Sequence, residues 1–263
     1  MIALSVRAIG LLAPGLAGWQ ASLPILRGEQ PYRATDLPTL KPALLPAGER
    51  RRATAVCRLA LAAAEEALAA APGIASGLQS VFASSSGDME IIDRICRALQ
   101  EADRPISPTH FHNSVHNAPA GYWAIASRSM RGSTSLAAFD GSFGSGLLET
   151  ACIVAAELAS VLLVAYDAPT PQPLAAKRPI PVPFAVTLLC APATSEASVA
   201  RLDLGPASTA RGSEPSATDL DSLRRSNPAA RSLTLLQAIA GGGATTVELP
   251  GGWPQGLQVK ISR

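Results

Sequence analysis

The sequence predicts an α/β fold, a mixed sheet around a buried central helix, and three observations carry that expectation. Short apolar runs that suit strands alternate with helical patterns through most of the chain. Residues 161–166 (Val-Leu-Leu-Val-Ala-Tyr) form an uninterrupted apolar strand, the pattern of a sheet covered on both faces. Residues 144–160 follow a helical pattern that is apolar almost all round (Leu147, Leu148, Ala151, Cys152, Val154, Ala155, Leu158), so burial on several sides is expected. Five strands are expected in this sheet.

The elements follow in order. Residues 2–9 are expected as the first strand, and the Pro- and Gly-rich stretch 15–48 as a loop wrapped over a surface. A helix is predicted over 51–71, where Val56, Leu59, Ala60, Ala63, Ala67 and Leu68 recur at helical spacing until Pro72-Gly73 stops it. Residues 78–83 suit a strand, and Asp88 suits the cap of a helix carrying Ile91, Ile92, Ile95, Cys96 and Leu99 on one side. Residues 113–129 are helical in pattern with a break near Pro119, and 135–139 suit a strand. Beyond a Pro-rich loop at 168–183, residues 184–190 and 198–204 are expected as a strand pair, and 205–218 as a polar, mobile stretch. A short amphipathic helix is predicted at 227–240, ended by Gly241-Gly242-Gly243, and strands at 245–249 and 257–261 close the chain.

Composition excludes several function classes. Of 263 residues 48% are hydrophobic and 16% charged, enough to bury a real core. The net charge is +2 with no run of five like charges, which argues against a nucleic-acid partner. Glu65, Glu66, Glu149 and Glu157 break the longest apolar stretches, so no membrane span is expected, and the N-terminus suits a strand better than a signal peptide. Cys57, Cys96, Cys152 and Cys190 lie far apart in apolar patterns, as expected for buried thiols of a reduced, cytoplasmic protein. No glycine cluster has Walker or dinucleotide spacing after a strand, so no cofactor is expected.

The stretch 139–148, Phe-Asp-Gly-Ser-Phe-Gly-Ser-Gly-Leu-Leu, has the layout of a nucleophile elbow: a strand-like run enters a small-residue turn and a long helix leaves it. Unpaired amides at the start of such a helix, together with its dipole, favour negative charge. Ser142 is either the nucleophile or a simple cap of the helix, and Phe143 and Ser145 break the G-x-S-x-G frame. His110, His112 and His116 could be read as metal ligands. Without a cysteine nearby, loop contacts for the first two and a pocket or dimer-seam position for His116 and Asn117 fit better, and no metal is expected. Glu149, alone in an apolar helix, is expected either to pair with an arginine or to be functional.

The order of elements resembles the β-ketoacyl synthases of the thiolase superfamily. The resemblance is carried by Arg51–Leu68, by Leu78–Ile95, by the run 106–151 and by 182–192, with Asn117, Ala120 and Gly121 where the family tends to carry an Asn and an Ala-Gly pair. It covers 1–205 and fades afterwards, so the chain reads as one thiolase-like domain over 1–263 with 206–263 as a reduced second half. It is strongest to the short synthase-like proteins called chain-length factors in aryl polyene pigment clusters. The synthases carry two further histidines in their second half, whereas all three histidines here precede residue 117. In a gapless register Phe143 takes the place of the family's cysteine; with a one-residue slip Ser142 does.

The resemblance implies a protein acting on chains bound to acyl carrier protein in fatty acid or polyketide biosynthesis, as a homodimer or paired with a ketosynthase, and without condensing activity by itself. The alternative is a serine-dependent acyltransferase or thioesterase: Ser142 as nucleophile, His116 as base, Asp140 or Asp88 as orienter, and the 143–144 amides as oxyanion donors. Phe143, Gly144 and Asn117 are the expected substrate contacts.

Overall fold

The computed structural model describes residues 1–69, 74–194, 198–208 and 220–263. The chain opens with the long strand β1 (Ile2–Ala13), the two-residue β2 (Leu16–Ala17) and three helices, α1 (Trp19–Leu26), α2 (Ala47–Arg52) and α3 (Ala55–Ala69). Then follow β3 (Gln79–Ala83), α4 (Met89–Ala98), α5 (Pro108–Asn113), α6 (Ala118–Ser127), β4 (Ser133–Leu136), α7 (Ser142–Glu157) and β5 (Val161–Asp167). The remainder comprises β6 (Phe184–Pro192), β7 (Ala200–Pro206), α8 (Asp221–Ser226), α9 (Leu233–Gly241), β8 (Thr245–Leu249) and β9 (Leu257–Ser262).

One mixed sheet runs in the order β4-β3-β5-β6-β1-β7-β9-β8, with β2 paired to β1. β3 is parallel to both β4 and β5, and the other pairings are antiparallel. The expected five strands are the β4-to-β1 half; β7, β9 and β8 extend the same sheet, and β2 brings it to nine. The expected pairing of 184–190 with 198–204 does not form; β1 lies between those strands. With 12 residues and two free edges, β1 pairs with β6 along most of its length and with β7 over Ile2–Val6.

Strand alternation sorts the core into two layers. Val161, Leu163 and Ala165 of β5 share one core layer with residues of α7 and α9, while Leu162, Val164 and Tyr166 share the other with α3 and α6. Every residue of β5 is buried, as its unbroken apolar run implies. α7 lies close enough on the sheet that a Cβ at Gly146 would sit 2.9 Å from the Ala83 side chain.

Local differences have local causes. The 15–48 stretch holds α1 and the start of α2 rather than loop alone. The helix expected over 51–71 is divided where Ala53 turns extended, and its Pro72-Gly73 stop lies outside the described residues. Pro119 sits in the first turn of α6, where its missing N–H costs nothing, instead of breaking a helix. His110 and His112 lie on α5, not in a loop as expected, and His112 stacks edge-on against Tyr122. Asp88 caps α4 by accepting from the Ile91 amide. α7 starts at Ser142 and, beyond its enclosed first turns, is buried along one face only: Cys152 and Ala155 are exposed and Leu158, its left-handed cap, is 76% exposed. Of the cysteines, Cys57 and Cys190 are buried, whereas Cys96 and Cys152 are exposed, so only two thiols sit as expected. Most of the expected mobile stretch, 209–218, lies outside the described residues.

Truncating the packed face of α7 tests this arrangement. Leu147, fully buried, should cost about 2–5 kcal/mol on change to Ala, whereas Leu158→Ala should change stability by roughly 0.5 kcal/mol or less, both read by denaturant unfolding.

Candidate functional site

The candidate site lies where β3, β4 and β5 end, at the entry to α7. After β4 the chain turns through a 3₁₀ segment, Phe139–Gly141, with Phe139 at φ 51°. Ser142 is the first residue of α7 and is 1% exposed. Its Oγ accepts from the Ala138 amide at 3.0 Å and donates to the Phe139 carbonyl at 2.8 Å. The hydroxyl therefore closes the turn that precedes the helix and caps none of its amides; Gly141 holds the cap position.

A second segment covers the same turn. The loop between β8 and β9 brings Pro250 and Gly251 onto the start of α7, and the contact depends on glycine from both sides. A Cβ at Gly141 would lie 2.7 Å from Gly251 Cα, one at Gly144 would lie 2.2 Å from the Pro250 carbonyl oxygen, and one at Gly251 (φ 91°) would lie 2.1 Å from the Gly141 oxygen. The Gly252 amide donates to Ser145 Oγ at 3.1 Å. Phe143, 1% exposed, belongs to the core with Leu147 and Ala151.

His116 is half-buried and bonds through Nε2 to the Ser84 carbonyl at 3.0 Å, so Nε2 carries the proton and Nδ1 the lone pair of the neutral ring. With Asn117, which is exposed, it lines a cavity of about 510 Å³ against Gly121, Ser133 and Ser135. Asp140 lies between two guanidiniums, Arg178 at 2.7 Å and Arg231 at 3.2 Å. Among the described residues no hydrogen bond joins Ser142, His116 and Asp140: the first serves the turn, the second the Ser84 carbonyl and the third two arginines. Asp88 is engaged as the α4 cap. Glu149 is half-buried and forms no ion pair with an arginine among the described residues. No group of three or more His, Cys, Asp or Glu residues among the described residues could hold a metal ion.

The sequence reading missed the network behind the turn. Asp167 ends β5 at 1% exposure, and its Oδ1 accepts from Ser84 Oγ and the Ser85 amide, both at 2.9 Å. Among the described residues its Oδ2 has no partner, and burial pushes its pKa from 3.8 up to about 6 against the lowering effect of those hydrogen bonds and of Arg178. Asn227 donates to the Asp167 and Val182 carbonyls, fastening the second half to this strand end. Arg178 reaches Ser85 Oγ at 3.2 Å and stacks over the Phe139 ring at 3.8 Å. An acid closing the otherwise apolar run 161–167 was the available signal.

This sheet, with one helix beneath the turn that follows an edge strand, defines an abbreviated thiolase-like α/β protein. Residues 26–246 match the β-ketoacyl synthase N-terminal domain family, and the chain belongs to it. No curated protein matches. Among solved structures it resembles a chain of the ketosynthase ApeO in complex with its chain length factor ApeC from Xenorhabdus doucetiae, with a TM-score of 0.72 at 24% identity and 100% of each chain covered. It also resembles AntDE:AntF, a type II polyketide synthase acyl-carrier protein in complex with its ketosynthase bound to the hexaketide (TM-score 0.72, 11% identity, 99% of each chain). A β-ketoacyl synthase from Burkholderia phymatum STM815 gives a TM-score of 0.59 at 15% identity, with 92% of this chain covering 71% of that one. Among the described residues no helix is long and apolar enough to cross a membrane.

The Asp167 carboxyl gives a signed pH test. A pKa raised from 3.8 to about 6 means that the folded state takes up its proton first, so this group's stabilisation is complete below pH 4 and is lost as pH rises through 6. The shift corresponds to roughly 3 kcal/mol. Asp167→Asn should flatten the stability profile between pH 4 and 7 by up to that amount, measured by denaturant unfolding across that range; an unchanged profile would contradict the assignment.

Proposed function

We propose that this chain is a chain-length-factor-like subunit that pairs with a β-ketoacyl synthase and helps to shape chains carried by acyl carrier protein, in fatty acid or polyketide assembly of the aryl polyene type, without condensing by itself. The observation that carries the reading is the closed elbow. Condensation in the resembling family needs a cysteine thiolate flanked by two second-half imidazoles. Here the elbow holds a core phenylalanine and a serine whose proton is already donated, and the loop of Pro250 and Gly251 packs onto it. A nucleophilic Ser142 would have to leave both of its hydrogen bonds and gain a base.

Two surfaces support the partners. β4 is an edge strand, and residues 133–139 (Ser-Thr-Ser-Leu-Ala-Ala-Phe) are exposed or half-buried with no charge, proline or glycine among them. Native proteins blunt open edges with lysine, proline or bulges. β4 is short, with 4 residues, but an uncharged edge without these residues suits a chain that works with it covered, by a synthase-like partner or a second copy. For the carrier, Arg51, Arg52, Arg58 and Arg94 line a cavity of about 500 Å³ that also holds Asp88 and Glu90. This locally basic rim suits an acidic carrier protein bearing a phosphate ester. Four free cysteines, two of them exposed, fit a reducing compartment such as the cytoplasm.

The test uses the purified chain with an acyl carrier protein thioester, alone and with a β-ketoacyl synthase of the same organism. Mass spectrometry should find no acyl adduct on this chain, size-exclusion chromatography should show it with the synthase, and its presence should change the length distribution of the products. An adduct on Ser142 that disappears in Ser142→Ala would replace this reading with serine-dependent acyl transfer or hydrolysis.

A further inference from the structure

Phe139 is held in a conformation that its side chain disfavours, and its ring packs into neither core cluster among the described residues. At φ 51° a bulky aromatic residue is strained, whereas glycine adopts that angle freely. The strained backbone does not buy core packing, for the ring is 64% exposed and belongs to neither core cluster. The angle is fixed from both sides by the Ser142 hydroxyl, which donates to the Phe139 carbonyl and accepts from the Ala138 amide. One face of the ring is occupied by the Arg178 guanidinium at 3.8 Å, itself tied to Asp140 and Ser85. The ring is thus rigid, backed by a cation and directed away from the core, at the end of the uncovered 133–139 edge.

We infer, on the basis of the pairing proposed above, that Phe139 and Arg178 form the anchor by which this chain recognises its condensing synthase partner. An aromatic ring and an arginine, ordered before binding and emptied of water when covered, are what concentrates binding energy at protein interfaces. Two arginines around the single carboxylate of Asp140 leave one positive charge in excess beside the ring. The complementary partner surface is an apolar socket with a carboxylate or carbonyl oxygens at its rim. Continuity with the open edge selects a partner of the same fold, whose own edge strand extends the sheet while its socket takes the ring.

The experiment compares the wild-type chain with Phe139→Gly and Arg178→Gln, each co-purified and titrated against a β-ketoacyl synthase of the same organism, alongside self-association and thermal melting of the isolated chain. Phe139→Gly relieves the strain, so its Tm should equal or exceed that of wild type while its affinity for the synthase falls about 30-fold or more. Arg178→Gln should weaken pairing in the same direction. Phe139→Gly that pairs as tightly as wild type overturns the inference and leaves the pairing reading intact. Loss of pairing together with a fall in Tm overturns it by showing a fold defect, and a loss confined to self-association overturns the choice of partner. A wild-type chain that never binds the synthase overturns the pairing reading, and the anchor with it.

Discussion

The first turn of α7 is enclosed on two sides, and much of the molecule depends on that enclosure. Beneath it the helix settles on β3 and β5 through Gly146, where a Cβ would already crowd Ala83. Above it the β8–β9 loop meets Gly141 and Gly144 backbone to backbone. Neither contact tolerates a side chain, so three glycines of α7 and its approach fix how far the helix penetrates and how closely the loop can follow. Because the loop connects the last two strands, the reduced second half is tied to the centre of the first. Asn227 supplies another tie, bonding the carbonyl of Asp167 at the end of β5.

That constraint is also what, in the proposed function, sets this chain's elbow apart from a catalytic one. An open turn at a helix start offers unpaired amides and a favourable dipole to a developing anion. Here the turn is closed by its own serine, by a core phenylalanine and by a loop. Of the neighbouring polar groups, Asp140 is tied to two arginines, and Asp167 to two serines through Oδ1 alone. In the proposed reading, the fold keeps the architecture of a synthase entry while the elbow serves packing.

How much of this was legible varied with the physics involved. The fully apolar β5 run and the pattern of α3 announced themselves because both faces of the sheet are covered and periodicity records burial directly. The elbow was visible as a strand, a small-residue turn and a helix. Its closure was not, since Pro250 and Gly251 lie more than a hundred residues from Gly141 and no local pattern records a long-range backbone contact. The order of strands failed for a similar reason: β6 and β7 are neighbours in sequence, yet the length of β1 lets it separate them. Leu158 and Cys152 misled because an apolar residue reports where a helix could be buried, not that another element covers it.

Hydrogen exchange of the native chain, read by mass spectrometry on peptides spanning 139–148 and 250–256, tests the closed elbow most directly. If the β8–β9 loop packs on the start of α7, the amides of 141–146 and of Gly251 and Gly252 should exchange slowly and together, while the exposed tip at Gln255 exchanges fast. Fast exchange in both segments while β5 remains protected would show an elbow open to solvent, and would contradict the account.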